Sequence, residues 1–297
     1  MPAEEWNNIT VEDINKGIVV VDHAITYDNG QASGTVPDFN EFVWVPIPES
    51  SNFARTAWTT KYGYDVNGNW STTLTTPHQL AEVSTSYRWW EDKTTTEYTN
   101  MIASVQQHKG FYIGRYEASK DSTGTIAQSK RNQEAWTSVT QTASITASAQ
   151  LNPNNNSHLI YGIEWDSVLN WLNGNATISS TTTGETKTME LADIQTNSSS
   201  WGNVSNSTGD AAAGSRSKQN TGYSEYWKAN NIYNLAGNVY EWTQEKYSTG
   251  TNKSNRGGVY DVNGDYYPVA SRNNNPENSA YTSIRLPHQL ICSTDLW

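Results

Sequence analysis

Hydrophobic residues follow two different periods along this chain, and the two periods together predict a mixed α+β protein. Residues 97–108 and 161–172 have apolar residues at the spacing of an amphipathic helix. Residues 141–151, between them, are also expected to be helical. Gly110 and Gly174 follow the first and the last of these segments, where a helix is expected to end.

Three other segments are rich in β-branched and aromatic residues, as strands are. They are GIVVVD (17–22), EFVWVPIPE (41–49) and GFYIGRYEAS (110–119). Because proline cannot donate a backbone hydrogen bond to a neighbouring strand, Pro46 and Pro48 predict that the second segment is an edge strand.

The pattern also predicts how the chain is organised. We expect residues 1–40 to be an N-terminal extension and residues 41–297 to form one domain. Polar insertions rich in Ser, Thr and Asn are expected near 50–86 and 176–222.

The string YDVNG occurs twice, at 64–68 and at 260–264. Asn-Gly favours the two-residue turn of a β-hairpin, so both copies predict a hairpin. The second copy does not fit a calcium-binding EF-hand loop, because Gly264 is fourth rather than sixth and Arg272 occupies the twelfth position instead of Glu.

The amino-acid composition argues against several classes of partner and several kinds of site. A net charge of −11 with scattered Lys and Arg argues against a nucleic-acid partner. The start, MPAEEWNNIT, lacks the features of a signal peptide, and no apolar run is long enough for membrane insertion, so we expect another component to carry the protein to any surface or virion. The single cysteine, Cys292, allows no intrachain disulfide and no cysteine-based zinc site.

The chain has 13 Trp and 17 Tyr but only 4 Phe. Large aromatic residues bury much apolar area each, so this content predicts a folded core despite the many polar residues. Short strands, many turns and aromatic side chains in the core are expected.

Three segments resemble the formylglycine-generating sulfatase-modifying enzymes and their non-catalytic relatives. They are GFYIGRYEAS, then NIYNLAGNVYEWTQE (231–245), and then the frame RGG…ASR…IRL between Arg256 and Leu286. In the second segment Tyr240 stands where the family usually has Trp, while Glu164 and Trp165 match two positions of a family helix. The resemblance implies a C-type lectin-type fold of the α+β class, with short antiparallel strands, two helices and much irregular loop.

The same resemblance disfavours an enzyme. The related oxidases use two cysteines shortly after the Gly-Gly pair, and residues 257–272 contain none. No motif for zinc hydrolysis, a nucleophile elbow or a phosphate loop is present. Glu164 and Glu241 could form a carboxylate pair, although a structural role is the expected one. No cofactor is predicted, but a structural calcium ion is compatible with a lectin-type fold.

The frame resembles most the variable proteins of diversity-generating retroelements, whose C-terminal segment is rewritten at adenines of the coding template. Asn codons begin with two adenines, and their descendants encode the Asn, Asp, Tyr and Ser that fill this segment. The resemblance implies a candidate variable region at 240–285 that binds a cell-surface protein or glycan, in a phage- or microbe-encoded adhesin. Tyr with short polar residues is also typical of binding surfaces.

Two sets of residues follow from this interpretation. The expected ligand-binding residues are Tyr247, Asn252, Asp261, Asn263, Asp265, Tyr266, Tyr267, Asn273, Asn274, Asn275 and Tyr281. The expected anchors of the backbone are Trp242, Arg256, Gly257, Gly258, Arg272 and Arg285. The alternatives are a formylglycine-generating-type oxidase, which the missing cysteines disfavour, and a virion decoration domain without a ligand.

Overall fold

The structure is a computed structural model. It describes residues 9–22, 26–28, 31–33, 39–60, 76–79, 89–179, 186–208, 217–247 and 250–291. Parts of both expected insertions, the YDVNG copy at 64–68 and Cys292 lie outside these residues.

Helices occupy all three predicted places. The described helices are α1 (Val11–Asn15), α2 (Thr96–His108), α3 (Gln141–Ala149), α4 (Gly162–Leu172) and α5 (Leu191–Gln195). The hydroxyls of Thr95 and Thr140 cap α2 and α3 by accepting a hydrogen bond from a backbone N–H of the first turn. All residues of α4 except Asn170 are buried, so this helix lies inside the molecule. One of the three longer helices is additional to the two that the resemblance implies. Of the helices in the described ranges, none has the length and apolar character needed to cross a membrane.

The strands are short. They are β1 (Val19–Val21), β2 (Thr26–Asp28), β3 (Gln31–Ser33), β4 (Glu41–Pro46), β5 (Thr56–Ala57), β6 (His78–Gln79), β7 (Trp89–Trp90), β8 (Gly110–Gly114), β9 (Ser119–Lys120), β10 (Ala127–Gln128), β11 (His158–Leu159), β12 (Thr177–Ser179), β13 (Thr186–Thr188), β14 (Lys228–Ala229), β15 (Ile232–Tyr233), β16 (Tyr240–Tyr247), β17 (Asn252–Arg256), β18 (Asn273–Pro276), β19 (Ile284–Arg285) and β20 (Gln289–Ile291). The predicted α+β class, with short antiparallel strands, few helices and much loop, is confirmed.

One sheet joins both ends of the described chain, in the order β1-β4-β8-β20-β11, with every pair antiparallel. β4 lies between β1 and β8, so the prediction that it is an edge strand is wrong. The two prolines are nevertheless tolerated there. β1 pairs only with Glu41–Val43, and Pro46 is the last residue of β4, beyond the end of β1.

A second sheet carries the C-terminal motifs, in the order β18-β17-β16-β19, and β7 pairs with the far end of β16. The short pair of β16 with β19 is parallel and places Tyr240 opposite Ile284. β16 is therefore the central strand, whereas β18 forms an edge.

Tryptophans fill much of the core. Those with about 2% or less of their surface exposed are Trp58, Trp89, Trp165, Trp201, Trp227 and Trp242. Trp242 projects from β16 as predicted, and its Nε1 donates a hydrogen bond to the Val139 carbonyl at 3.0 Å. The indole thus joins the second sheet to the segment that leads into α3.

Candidate ligand-binding surface

Two of the three frame arginines lie in one buried network, which we call the arginine cluster. Its members are Arg55, Glu91, Asp166, Glu245, Arg256 and Arg272. Arg272 bridges two carboxylates, with its Nη2 2.6 Å from Asp166 Oδ2 and its Nε 3.0 Å from Glu245 Oε1. Arg256 contacts the same two residues, with its Nη2 3.0 Å from Asp166 Oδ1. Both arginines are therefore held by fixed parts of the fold.

Asp166 is the centre of this cluster. It lies on α4, and it also accepts hydrogen bonds from the backbone N–H of Thr56 and the indole of Trp58, both at 3.0 Å. Burial raises the pKa of Asp166, but Arg272 and then Arg256 outweigh it and hold the pKa below its ordinary value. Asp166 is thus a buried carboxylate that stays charged because arginines enclose it.

Glu91 connects the cluster to the start of α4. Its Oε1 accepts hydrogen bonds from the backbone N–H groups of Gly162 at 2.5 Å and Ile163 at 3.2 Å, in the position of a helix cap. Burial raises the pKa of Glu91 to about 7, against the opposing effect of Arg55. Arg55 also pairs with Glu245, which lies on β16.

The third frame arginine, Arg285, has a network of its own. It pairs with Glu117 and, at 2.5 Å, with Glu241. Glu241 also accepts a hydrogen bond from the backbone N–H of His288 at 3.0 Å. Asn238 donates to Glu117 at 2.5 Å. Both the GFYIGRYEAS segment and the LAGNVYEWT segment therefore supply carboxylates to one buried arginine.

The glycines of these motifs lie where side chains would collide. Gly237 has φ +78°, and a Cβ built on it would overlap the backbone carbonyl of Asn203. Gly258 has φ +84°, and a Cβ there would lie 2.6 Å from the carbonyl oxygen of Tyr267. Only glycine adopts such a backbone at so close an approach without strain. Gly258 thus fixes the base of the loop that contains Tyr267.

Five of the expected ligand-binding residues lie in a loop, which we call the 261–267 turn: Asp261, Asn263, Asp265, Tyr266 and Tyr267. The prediction of a two-residue hairpin turn at 260–264 is wrong, because the strands on either side, β17 and β18, pair with each other but are separated by the long loop 257–272. The loop instead packs on residues 198–208. Ser198 N–H donates to the carbonyl of Gly264 at 3.1 Å, and Gly264 N–H donates to Asn206 Oδ1 at 2.8 Å. Contacts between distant segments have outweighed the local preference of Asn-Gly.

The turn presents aromatic and acidic groups. The Tyr266 side chain is 42% exposed, and its ring meets that of Tyr267 edge-on at 5.2 Å between centroids. Tyr267 in turn contacts Tyr240 edge-on at 5.9 Å. Asp261 and Asn263 are exposed, and Asn263 accepts a hydrogen bond from the hydroxyl of Ser205.

The edge strand β18 divides its asparagines between two faces. Register places Asn273 opposite Asn255 and Asn274 opposite Ser254. Successive strand residues point to opposite faces, so Asn273 and Asn275 share one face and Asn274 lies on the other. The side-chain hydrogen bonds agree with this division. Asn255 donates to Asn275 at 2.7 Å, and on the other face Asn252 donates to Asn274 at 2.7 Å.

Tyr240 joins the turn to one face of this edge. Burial raises its pKa and its neighbours Tyr267 and Asp261 raise it further, whereas a side-chain hydrogen bond with Asn273 lowers it. Tyr240 therefore contacts Tyr267 and Asn273, and Asp261 is close enough to raise its pKa. Sequence reasoning did not place Tyr240 among the site residues, although its substitution for the family's Trp was the available signal.

The remaining expected site residues lie elsewhere. Tyr247 ends β16, and its ring packs 4.6 Å from that of Trp89 on β7. Tyr281 is 48% exposed and follows the edge strand, and its carbonyl accepts a hydrogen bond from Ser138 N–H. Asn252 and Asn274 bond to each other on the face of β18 opposite to Asn273. The expected ligand-binding residues are therefore divided among several parts of the second sheet and its loops.

The two carboxylates considered as a catalytic pair belong to separate buried networks. Glu164 contacts His158 Nε2 at 3.0 Å and accepts a hydrogen bond from Tyr161 N–H, whereas Glu241 contacts Arg285 and His288. Among the residues described, no group of three His, Cys, Asp or Glu side chains is arranged to hold a metal ion. The expectation of a structural calcium ion stays a prediction.

No family model and no curated protein matches this sequence. Among solved structures, PvdO from Pseudomonas aeruginosa is 13% identical and aligns over 93% of this chain and 98% of its own, with a TM-score of 0.48. Variable protein 1 of Treponema denticola is also 13% identical and aligns over 93% of each chain, with a TM-score of 0.30. At this identity and with both TM-scores below 0.5, neither likeness bears on what this chain binds.

Proposed function

We propose that this chain is the ligand-binding variable protein of a diversity-generating retroelement, and that it recognises a cell-surface protein or glycan. One observation carries the proposal. Within residues 256–285 the three frame arginines are 0–2% exposed and held by ion pairs, while Tyr266 and Tyr281 between them are 42% and 48% exposed. The segment therefore alternates between fixed anchors and side chains that can be replaced.

Exposed aromatic residues support a contact surface. Among the described residues, the large hydrophobic side chains that are exposed are Val11, Tyr223, Tyr266 and Tyr281, and two of these four lie in the candidate variable region. Tyrosine supplies a large contact area at a small cost in conformational entropy, and Asn and Asp add adaptable hydrogen bonds. A backbone held by buried ion pairs also keeps the cost of ordering the loop on binding low.

The coding DNA tests the retroelement part of the proposal. We expect a near-copy of the codons for residues 240–290 close to the gene. In that copy, the codons that correspond to Asp261, Tyr266 and Asn275 should contain adenines. A reverse transcriptase gene should lie beside it. The codons of Arg256 and Arg272 should be identical in the two copies. A genome without such a copy and without the reverse transcriptase would contradict the proposal.

Binding is tested by display of the full chain. One library randomises Asp261, Asn263, Tyr266, Asn275 and Tyr281, and a matched library randomises five exposed residues outside the region: Glu12, Lys16, Glu49, Ser122 and Tyr223. Both are selected on an unrelated folded protein, lysozyme. The first library should yield specific binders and the second should yield few. Equal yields would show that residues 261–281 have no special capacity for binding.

A further inference from the structure

We infer that the 261–267 turn recognises its partner through a basic side chain, so that the partner is a protein or peptide presenting Arg or Lys. The inference rests on the proposed function and narrows it, since a protein and a glycan were both open. It follows from two carboxylates of the turn that have no ion-pair partner among the described residues, and from the tyrosine rings that lie in the same loop.

The turn carries two carboxylates without a cation. Asp261 is exposed and Asp265 is half-buried, and neither forms an ion pair with any residue that the structure describes. One carboxylate oxygen, Asp265 Oδ1, lies below the surface and has no hydrogen-bond partner within the described ranges. Carboxylates in such positions interact favourably with an incoming cation.

The basic residues of the neighbouring strands are already engaged. Lys253 pairs with Glu277 at 2.8 Å, and Lys246 pairs with Asp92 at 3.0 Å. Arg256 and Arg272 are buried in the arginine cluster. Among the described residues no cation neutralises the turn, which is therefore acidic on a molecule whose net charge is −11. A basic group on the partner would complement it.

The same chain already shows how aromatic and acidic groups hold a cation. Lys246 Nζ lies 4.5 Å from the ring centroid of Trp90 while it pairs with Asp92. In the turn, the rings of Tyr266 and Tyr267 lie in the same short loop as Asp261 and Asp265. A basic side chain could contact a ring face and a carboxylate together, and each contact would strengthen the other as water is excluded.

A random peptide library tests the inference. The full-length protein is used to select from displayed 12-residue peptides, and the Arg and Lys content of the bound peptides is counted. We expect enrichment for the wild type and its loss in D261N/D265N. The control E12Q/E49Q removes two negative charges from other exposed positions, so it should keep the enrichment. For one enriched peptide, D261N/D265N should weaken binding about three- to tenfold, and replacing its Arg by the neutral isostere citrulline should weaken binding similarly.

Several outcomes would overturn the inference. If D261N/D265N still selected peptides enriched in Arg and Lys, the enrichment would be caused by the net charge of the molecule and not by the turn. Peptides without Arg or Lys, no bound peptide at all, or binding confined to neutral sugars on a glycan array would each contradict a basic partner. If the lysozyme selection still yields binders from the 261–281 library, the proposed function stands although this inference fails. If the lysozyme selection also yields no binders, both the proposed function and this inference are wrong.

Discussion

At the scale of single residues, the molecule depends on buried arginines whose partners come from distant parts of the chain. The motif RGG…ASR…IRL was sufficient to predict that these residues anchor the backbone. It could not predict that Asp166 of α4 and Glu245 of β16 enclose Arg256 and Arg272, because such pairing depends on the folded arrangement of segments far apart in sequence. For the same reason the motif could not predict that Glu117 pairs with Arg285.

Replacing Arg272 tests the anchor role. Arg272→Met leaves Asp166 and Glu245 buried with one cation fewer, so we expect the free energy of unfolding to fall by about 3–5 kcal/mol. Urea unfolding followed by tryptophan fluorescence measures this change. Tyr281→Ala, in the same region but 48% exposed, should change it by less than about 0.5 kcal/mol. Similar losses in the two variants would contradict the division into anchors and replaceable residues.

His158 gives the unfolding free energy a pH dependence of known sign. Burial alone would lower the pKa of His158, but the carboxylate of Glu164 at 3.0 Å outweighs burial and raises the pKa to about 9 from 6.5. A histidine whose pKa is higher in the folded state stabilises the fold fully below pH 6.5, and this contribution is lost as the pH rises through 9.

We therefore expect the unfolding free energy to fall between pH 6.5 and pH 9, by roughly 3 kcal/mol from this group. Chemical denaturation of the wild type and of His158→Gln at several pH values isolates the contribution, since the variant should lack it. If the unfolding free energies of the wild type and the variant changed in parallel with pH, His158 would not bind its proton as described.

At the scale of elements, local patterns predicted the three longer helices, α2, α3 and α4, and three of the strands, β1, β4 and β8. The many strands of two or three residues have too short a pattern to be recognised. Patterns that depend on neighbours were less informative. β4 reads as an edge strand from its prolines, yet it is internal because β1 pairs with its other side. The prolines are tolerated because β1 is short and pairs only with Glu41–Val43. The 260–264 segment reads as a hairpin, yet it packs on residues 198–208 and forms part of a loop surface.

Two glycines in similar backbone conformations test how close packing fixes this part of the fold. Gly237 (φ +78°) lies against the backbone of Asn203, whereas a Cβ added to Gly124 (φ +75°) would meet open space to a distance of 4 Å. Gly237→Ala should cost about 2–4 kcal/mol, from backbone strain and steric overlap together. Gly124→Ala adds only the strain, about 1 kcal/mol. Equal losses of unfolding free energy in urea would mean that contact with Asn203 has no role.

At the scale of the whole molecule, sequence predicted the α+β class and the interleaving of two kinds of residue near the C-terminus. The sequence could not predict which of these side chains contact each other. The structure brings Tyr267 and Asn273 together at Tyr240, and strand alternation places Asn274 on the other face of β18. Such groupings depend on register and on long-range packing, neither of which has a local signal in the sequence.

We propose that replaceable side chains lie on a frame that tolerates no change, and one measurement tests this division most directly. Two libraries of the full chain are displayed on yeast and sorted for resistance to protease. One randomises Asp261, Asn263, Tyr266, Asn275 and Tyr281, and the other randomises Trp242, Arg256, Gly258, Arg272 and Arg285. Most members of the first library should stay folded and almost none of the second. Equal folded fractions, or a lower fraction in the first library, would contradict the account.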